Sequence, residues 1–219
     1  MGYSVAIDGP AGAGKSTIAK RVAKEKDFIY IDTGAMFRAM AIHFLRCGIA
    51  ADDHEKISAA VKDVNVTISY ANGEQQVFLN GDNVTGQLRT EEVGNMASAS
   101  SVNGAVRKKL LELQRNLAES ANVVMDGRDI GTVVLPNADV KVYLTASVEV
   151  RAQRRYKELM EKGLEADLEQ IKKDIEERDY RDMNRDIAPL RQAEDAVLVD
   201  SSYMTIEESA QAIMNLIKA

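Results

Sequence analysis

The glycine-rich segment Gly9–Ser16, GPAGAGKS, has the spacing of a phosphate-binding loop. In the pattern G-x-x-x-x-G-K-[S/T], successive backbone N–H groups point at phosphate oxygens, Lys15 reaches the β- and γ-phosphates, and the Ser16 hydroxyl binds Mg²⁺. The segment follows an apolar run and opens a helical pattern, as the motif requires. The sequence therefore predicts that the chain binds a nucleoside triphosphate, expected to be ATP. The residues expected to bind ATP are Gly9, Pro10, Ala11, Gly12, Ala13, Gly14, Lys15, Ser16 and Thr17.

A second group of charged residues follows the apolar run Val123–Met125. Asp126 comes first, at the end of an expected buried strand near the glycine-rich loop. It is predicted to hold Mg²⁺ through water, and a structural cap on the next turn is the alternative. Arg128 and Asp129 follow in the sequence DGRD. A planar guanidinium that never loses its charge suits a phosphate group.

A third group, Asp32, Thr33 and Arg38, follows the apolar run Phe28–Ile31. Open α/β sheets bind ligands at the carboxyl ends of their strands, which places these residues beside the phosphate-binding loop. Arg38 is then expected to face the phosphate of an acceptor molecule. The alternative for Asp32 and Thr33 is a helix N-cap, and both roles are compatible.

The strands that must position these residues are predicted from five short apolar runs. Apolar and polar residues do not alternate strictly in these runs, which is typical of strands that are buried on both faces. Helical patterns at 16–24, 35–45, 147–162 and 205–218 follow four of them. Such an order predicts an α/β fold, a five-stranded parallel sheet with helices on both faces. The runs are Tyr3–Ile7, Phe28–Ile31, Val123–Met125, Val140–Leu144 and Ala196–Val199.

The region 60–100 interrupts this order and is predicted to be an insertion. Val64–Tyr70 alternates strictly, Asn72-Gly73 is a strong hairpin signal, and Gln76–Leu79 is the expected return strand. We therefore expect a small antiparallel β insertion at about 60–90. A helical stretch from Glu91 to Asn116 is expected to lead back to the main sheet.

The segment 151–186 is densely charged and holds six of the fourteen arginines. A solvated helical hairpin is the simpler interpretation for most of its Lys and Glu residues. The arginines favour a helical lid that closes over phosphates. They are Arg151, Arg154, Arg155, Arg178, Arg181 and Arg185.

Composition excludes several classes of protein. The chain has 219 residues and a formal net charge of −6, which argues against non-specific coating of nucleic acid. Cys47 is the single cysteine, so an intramolecular disulfide is excluded and a reducing compartment is expected. Neither a signal-peptide pattern nor an apolar run of about 18 residues is found. We expect one domain over 1–219, located in the cytoplasm, monomeric, and bound to neither membrane nor nucleic acid.

Four motifs, taken in this order, resemble those of the bacterial cytidylate kinases, a P-loop nucleoside monophosphate kinase family. They are IDGPAGAGKST at 7–17, IDTGAMFRA at 31–39, DGRDIGTVV at 126–134 and ERDYRDMNRDIAPL at 177–190. The resemblance covers nearly the whole chain, including the β insertion. It implies the P-loop kinase fold, a monophosphate-binding role for 60–100, and transfer of the γ-phosphoryl group of ATP to CMP or dCMP with Mg²⁺.

The resemblance also implies which residues hold the acceptor phosphate. Three arginines match those that bind the CMP phosphate, namely Arg38, Arg128 and Arg185. Thr33 matches a small hydroxyl residue, often Ser, near the acceptor. Phe37 stands where Tyr is frequent, so a hydroxyl contact near the CMP is expected to be absent.

Base and sugar residues follow from the same resemblance. Ser98, Arg107 and Asp129 match residues that read cytosine, and Arg178 and Asp182 match residues near the sugar. The chemistry agrees, because a carboxylate accepts a hydrogen bond from the N4 amino group of cytosine and faces a carbonyl oxygen in uracil. The alternative for Arg107 is an exposed position on the amphipathic helix VRKKLLELQR.

The expected reaction needs no side chain as a base, because its acceptor is already an anionic phosphate oxygen. Catalysis is predicted to come from positioning and charge neutralisation, with direct in-line transfer and no phosphoenzyme. The residues expected to act on the moving phosphoryl group are Lys15, Arg128, Arg155, Arg181 and Arg185. Two alternatives stay open: a kinase for UMP or another small acceptor, and a regulatory module that binds nucleotide without transferring phosphate.

Overall fold

This computed structural model describes residues 2–218 of the chain. That part contains eight strands and eight α-helices, joined by loops and short helical turns. The strands are β1 (Ser4–Asp8), β2 (Ile29–Asp32), β3 (Val66–Ala71), β4 (Glu74–Leu79), β5 (Asp82–Asn83), β6 (Val123–Gly127), β7 (Val140–Thr145) and β8 (Val197–Asp200). The helices are α1 (Lys15–Lys26), α2 (Thr33–Arg46), α3 (His54–Ala60), α4 (Glu91–Ser100), α5 (Gly104–Glu119), α6 (Val148–Glu161), α7 (Leu168–Asn184) and α8 (Ile206–Met214).

The strand β1 lies at the centre of a five-stranded parallel sheet with the order β2–β6–β1–β7–β8. Each of the five predicted apolar runs coincides with one of these strands, so the predicted parallel sheet is confirmed. Because β1, β2 and β6 are adjacent and parallel, their carboxyl ends meet at one edge of the sheet. The glycine-rich loop, Asp32 and the segment from Asp126 onward are thereby brought together.

Side chains of the central strands alternate between two hydrophobic cores. Ala6 and Met125 face the core built with α2, α4 and α5. Val5, Ile7 and Val124 face the opposite core, built with α1 and α8. Helices therefore cover both faces of the sheet, as predicted, and the buried apolar surface on each face stabilises the fold.

A separate antiparallel sheet is formed by β3, β4 and β5. Its first turn contains Asn72 and Gly73, both with positive φ, as the hairpin signal predicted. The Gln75 side chain accepts from the Asp32 amide at 2.9 Å and donates to the Asp32 carbonyl at 3.2 Å. The small sheet therefore supports the edge strand β2 of the main sheet.

The helical stretch predicted over 91–116 is divided in the structure into two helices, α4 and α5. The break occurs at Asn103, whose side-chain oxygen accepts from the Ala105 amide at 2.9 Å and caps α5. The same side chain donates to the His54 carbonyl at 3.0 Å and to the Ser58 hydroxyl at 2.8 Å. These long-range bonds stabilise a break that helical periodicity alone did not show.

The helices α6 and α7 form an antiparallel hairpin whose base is tied to the glycine-rich loop by Arg151. The buried Arg151 guanidinium pairs with Asp179 at 2.6 Å and donates to the Ala11 carbonyl at 3.0 Å. A third bond joins it to the Ala146 carbonyl at 2.9 Å. Among residues 2–218, no helix has the length and apolar character needed to cross a membrane.

Candidate active site

A cleft of about 650 Å³ opens at the carboxyl ends of β1, β2 and β6. It is bounded by the glycine-rich loop, α4, α5 and the α6–α7 hairpin. Within residues 2–218, nine cationic side chains and five carboxylates line the cleft, so it suits a strongly anionic ligand. The lining cations are Lys15, Arg38, Arg107, Arg128, Arg151, Arg154, Arg155, Arg178 and Arg185.

The glycine-rich loop curls over the start of α1. Gly9 has φ of 152°, and a Cβ there would lie 1.9 Å from the Leu144 carbonyl oxygen, so only glycine fits. The buried Lys15 ammonium donates to the Pro10 carbonyl at 2.7 Å. Burial and the nearby Arg128 hold the pKa of Lys15 well below its ordinary value. A phosphate group is the partner that would stabilise this buried charge.

Asp126, at the end of β6, bonds to two hydroxyl groups. Its carboxylate accepts from Ser16 at 3.0 Å and from Tyr30 at 2.7 Å. Burial, together with nearby Asp32, raises the pKa of Asp126 to about 6. Neither oxygen bonds to a backbone N–H of the described turn that follows, so the bonds do not support the capping alternative.

The Ser16–Asp126 pair fits a magnesium ion. A hydroxyl and a carboxylate are the hard oxygen donors that Mg²⁺ prefers. Residues 2–218 contain no group of three or more His, Cys, Asp or Glu residues arranged to hold a metal. Mg²⁺ usually takes one or two protein oxygens, and phosphates and water complete its coordination. The two oxygens therefore suit a metal held jointly with a nucleotide.

Asp129 and Arg107 form a largely buried ion pair in the cleft. The Arg107 guanidinium donates to one oxygen of the carboxylate, and Arg185 lies 3.8 Å from the other. Arg107 also donates to the Ser101 carbonyl at 3.1 Å and lies 5.5 Å from the centre of the Phe37 ring. The structure thus turns Arg107 into the cleft, away from the exposed position that its helix pattern allowed.

Asp182, on α7, joins two of the cleft arginines. It accepts from Arg128 at 2.9 Å and lies 3.7 Å from Arg185. Burial alone would raise the pKa of Asp182, but Arg128, with Arg178 and Arg185, holds it below its ordinary value. The carboxylate therefore stays ionised and orients the arginines.

Two predicted binding residues have buried polar atoms without a protein partner. The Ser98 hydroxyl and the Arg178 Nε make no hydrogen bond within the described chain. Burial and Arg128 lower the pKa of Arg178 to about 10, and burial and Arg107 lower that of Arg185 to about 10. Unpaired buried donors are rare in native proteins, and a bound ligand is one explanation.

Of the predicted residues, Arg181 lies outside the cleft, whereas Arg155 and Thr33 line it but bond to protein partners. Arg181 lies on the outer face of α7, beside Glu176, Glu177 and Tyr180, and does not line the cleft. Arg155 lines the cleft but pairs with Glu158 at 2.9 Å.

The remaining one, Thr33, donates its hydroxyl to the Asp126 carbonyl at 2.7 Å. That bond fixes the junction between β2 and α2 and occupies the proton of the hydroxyl. The neighbouring Asp32 carboxylate accepts from the Ala35 amide at 2.9 Å, so Asp32 is the N-cap of α2, as its alternative interpretation stated. Asp32 and Thr33 both line the cleft as well.

Sequence reasoning missed residues on two sides of the site. Asp8 bonds to the backbone behind Asp129 at 2.7 Å, and its only sequence signal is its place at the end of β1. On the opposite side, Ser201, Met204 and Thr205 line the cleft after β8, and Arg154 donates to the Ser201 carbonyl at 2.7 Å. Their position after a parallel strand was the available signal.

A family model described as cytidylate kinase matches residues 5–219. The curated cytidylate kinase of Ligilactobacillus salivarius (strain UCC118) is 50% identical over 214 residues, which cover 98% of this chain and 96% of that protein. The cytidylate kinase of Listeria innocua serovar 6a is 51% identical over 213 residues, 97% of this chain and 94% of that protein. A solved structure of an uncharacterized protein from Eubacterium ventriosum shares the fold, with a TM-score of 0.52, 10% identity and 99% coverage of both chains. With its family model matched over nearly its whole length, this chain belongs to the cytidylate kinase family.

Proposed function

We propose that this protein transfers the γ-phosphoryl group of ATP to CMP or dCMP and releases ADP with CDP or dCDP. One observation carries the proposal: a single cleft joins a glycine-rich phosphate cradle to the buried Arg107–Asp129 pair. The glycine-rich loop would bind the phosphates of the phosphoryl donor, and the Arg107–Asp129 pair would bind a polar nucleobase. Family membership supports both assignments.

The donor phosphates are assigned to the loop Gly9–Thr17. Its backbone N–H groups and the start of α1 bind phosphate oxygens, and Lys15 neutralises the β- and γ-phosphates. Ser16 and Asp126, 3.0 Å apart, are the residues proposed to hold Mg²⁺. When bound, the metal supplies charge neutralisation at the phosphate oxygens.

The acceptor phosphate is assigned to Arg38, Arg128 and Arg185, which line the cleft together. Arg128 and Arg185 share the Asp182 carboxylate, so their guanidinium groups are oriented before the substrate arrives. Arg178 and Asp182 are proposed to lie near the sugar. The unpaired Arg178 Nε supports that assignment because it needs an acceptor.

The base is assigned to Ser98, Arg107 and Asp129, beside the Phe37 ring. The Asp129 carboxylate accepts from the N4 amino group of cytosine, whereas uracil presents a carbonyl oxygen there. Arg107 donates to the ring acceptors, and the unpaired Ser98 hydroxyl supplies a further polar group. Uracil leaves these buried groups unpaired, so CMP is preferred over UMP.

Transfer is proposed to be direct and in line. The acceptor oxygen carries a negative charge and needs no base, while Lys15, Arg128 and Arg185 stabilise the charge of the moving phosphoryl group. The segment 151–186 is proposed as a lid, and 60–100 as the insertion that helps to bind the monophosphate. Arg155 and Arg181 contribute only if the lid moves, since Arg155 is paired with Glu158 and Arg181 faces outward.

Acceptor dependence tests the proposal against its alternatives. The protein is mixed with ATP and Mg²⁺, and ADP formation is measured after addition of CMP, dCMP, UMP, AMP or buffer. ADP formation that requires CMP or dCMP supports the proposal. A stronger response to UMP identifies a uridylate kinase, and hydrolysis that ignores the acceptor, or no reaction, indicates a regulatory nucleotide-binding module. Monomeric state and cytoplasmic location stay predictions from the sequence.

A further inference from the structure

A carboxylate outside the substrate cleft is bonded to the backbone that follows the base-reading residue. Asp8 is the last residue of β1 and is 5% exposed. Its Oδ1 accepts from the Ile130 amide and its Oδ2 from the Gly131 amide, each at 2.7 Å. Both carboxylate oxygens are therefore committed to two consecutive backbone N–H groups, 122 and 123 residues away along the chain.

We call these two bonds from Asp8 the clamp. The backbone that they hold belongs to the turn that follows Asp129. The π-helical turn Ile130–Val134 begins directly after Asp129. The Asp129 carbonyl accepts from the amides of Val133 and Val134 at 2.9 and 3.1 Å. On the other side, Gly127 lies in β6 and is in register with Asp8. The chain is thus fixed before Asp129 by the sheet and after it by the Asp8 carboxylate.

The space around this clamp is filled. A Cβ on Gly131 would lie 3.2 Å from the Lys141 Cδ and 3.4 Å from the Asp8 carboxylate. Lys141 is itself held by Asp195 at 2.7 Å. Since the glycine-rich loop starts at the residue after Asp8, the same strand end carries the ATP cradle and anchors the turn of Asp129.

We propose that Asp8 is a positioning residue for base selection: it fixes the Asp129 turn without touching either substrate. The inference rests on the proposed function, since it concerns the pocket assigned to cytosine. A carboxylate that bonds two amides in a buried site holds the peptide plane after Asp129 in one orientation. The clamp therefore acts on the direction in which the Asp129 carboxylate meets the base.

The substitution Asp8→Asn keeps the shape of the side chain and removes half of the clamp. Asparagine has one acceptor oxygen, so one of the two amides would face an NH₂ donor. We expect the KM for CMP to rise about tenfold and the ratio of kcat/KM for CMP over UMP to fall about tenfold, with the KM for ATP changed less than about twofold. A purely structural role predicts lower thermal stability with an unchanged CMP-to-UMP ratio, and that result would overturn the inference.

Asp139→Asn is the matched control. The Asp139 carboxylate accepts from the Ser4 amide at 2.7 Å, at the opposite end of the same strand β1, and is exposed. The substitution Asp139→Asn alters a similar carboxylate-to-backbone bond far from the cleft. The ratio of kcat/KM for CMP over UMP in this variant should therefore equal that of the unsubstituted protein. A control that shifts the ratio as much as Asp8→Asn would also overturn the inference.

Amide hydrogen exchange in the unsubstituted protein tests the clamp independently, even where Asp8→Asn does not fold. The amides of Ile130 and Gly131 should be protected without nucleotide and gain little further protection when CMP binds. Rapid exchange of both amides in the free protein contradicts a turn that is fixed in advance. Unsubstituted protein that shows no CMP-dependent reaction refutes the proposed function, whereas an active protein with an unaltered Asp8→Asn ratio refutes only the role of Asp8.

Discussion

The Arg107 guanidinium and the Asp129 carboxylate meet in a contact that leaves their side chains only 10% and 8% exposed. A buried ion pair contributes little net stability, because desolvation offsets much of the attraction between its charges. Its value here lies in the pocket, where it presents a donor and an acceptor in a fixed relation. Phe37, beneath Arg107, gives that pair an apolar floor.

Replacing Asp129 tests its assignment to the base. Asp129→Ala should raise the dissociation constant of CMP roughly 10- to 100-fold, because a buried hydrogen bond from the cytosine amino group is lost. The dissociation constant of ATP should change far less. Calorimetric titration of each nucleotide measures both values. Asp82→Ala, which removes an exposed carboxylate paired with Arg46 at 3.4 Å, is the control; equal weakening of CMP and ATP in Asp129→Ala would contradict the assignment.

Replacing either of two arginines assigned to the acceptor phosphate tests the proposed catalytic set. Arg128→Ala and Arg185→Ala should each lower kcat on the order of 10³-fold, since each removes a charge that neutralises the moving phosphoryl group. Folding should persist, because Asp182 keeps the other arginine as a partner in either variant. Steady-state rates and thermal unfolding are measured together, with Arg46→Ala as the exposed control. Near-normal turnover removes that arginine from the catalytic set.

Local patterns in the sequence predicted much of the fold and the outline of the site. Unalternated apolar runs identify β1, β2 and β6 because strands buried on both faces have no polar side. The parallel sheet then places Lys15, Asp126 and Arg128 at one edge without further information. The Asn72-Gly73 turn likewise revealed the small sheet, because few dipeptides adopt positive φ at both positions.

Hydrogen bonds between distant segments, and the side of a helix on which a charged residue lies, could not be predicted from the sequence. The bonds from Asp8 to Ile130 and Gly131 join segments far apart in the chain, and no local pattern encodes them. The break at Asn103 depends on acceptors in α3. On α7, Arg178 and Asp182 are four positions apart and share a face, whereas Arg181 is rotated toward the outer side, a distinction hidden where charges cover the whole helix.

Replacing Tyr30, which bonds to the proposed metal ligand Asp126, tests the assignment of the magnesium site. Tyr30→Phe removes the hydroxyl that donates to Asp126 at 2.7 Å. Since groups that orient a metal ligand tune its affinity, the Mg²⁺ concentration for half-maximal rate should rise roughly tenfold, with the KM for CMP unchanged. Magnesium titrations measure the midpoint. Tyr70→Phe loses a 3.2 Å bond to the Tyr30 carbonyl and serves as the control; identical midpoints in all three proteins would exclude a role for Tyr30.

Asp8 should leave a pH signature in stability. Burial raises its pKa from 3.8 to about 6, although the Gly131 and Ile130 amides oppose this. Between these two pKa values the folded chain binds the proton more tightly than the unfolded chain, so the contribution is greatest below the unfolded pKa and is lost as the pH rises through the folded pKa. A shift of this size corresponds to roughly 3 kcal/mol.

Comparing the unsubstituted protein with Asp8→Asn separates the contribution of Asp8 to stability from that of the other titrating groups. Urea unfolding of the unsubstituted protein and of Asp8→Asn is measured near pH 4 and near pH 7. The difference in unfolding free energy, unsubstituted minus variant, should decrease by roughly 2 kcal/mol from pH 4 to pH 7, because the unfolded chain already loses part of the proton at pH 4. Parallel pH dependence of the two proteins would show that Asp8 titrates alike in the folded and unfolded chain.

The most direct test of the account follows the phosphoryl group itself. ATP labelled at the γ-phosphate is incubated with the protein, Mg²⁺ and CMP, and the labelled products are separated. Direct transfer predicts label in the β-phosphate of CDP, in amounts equal to the ADP formed, and no labelled protein. Label that appears in inorganic phosphate regardless of CMP, or that stays in ATP, would contradict the account.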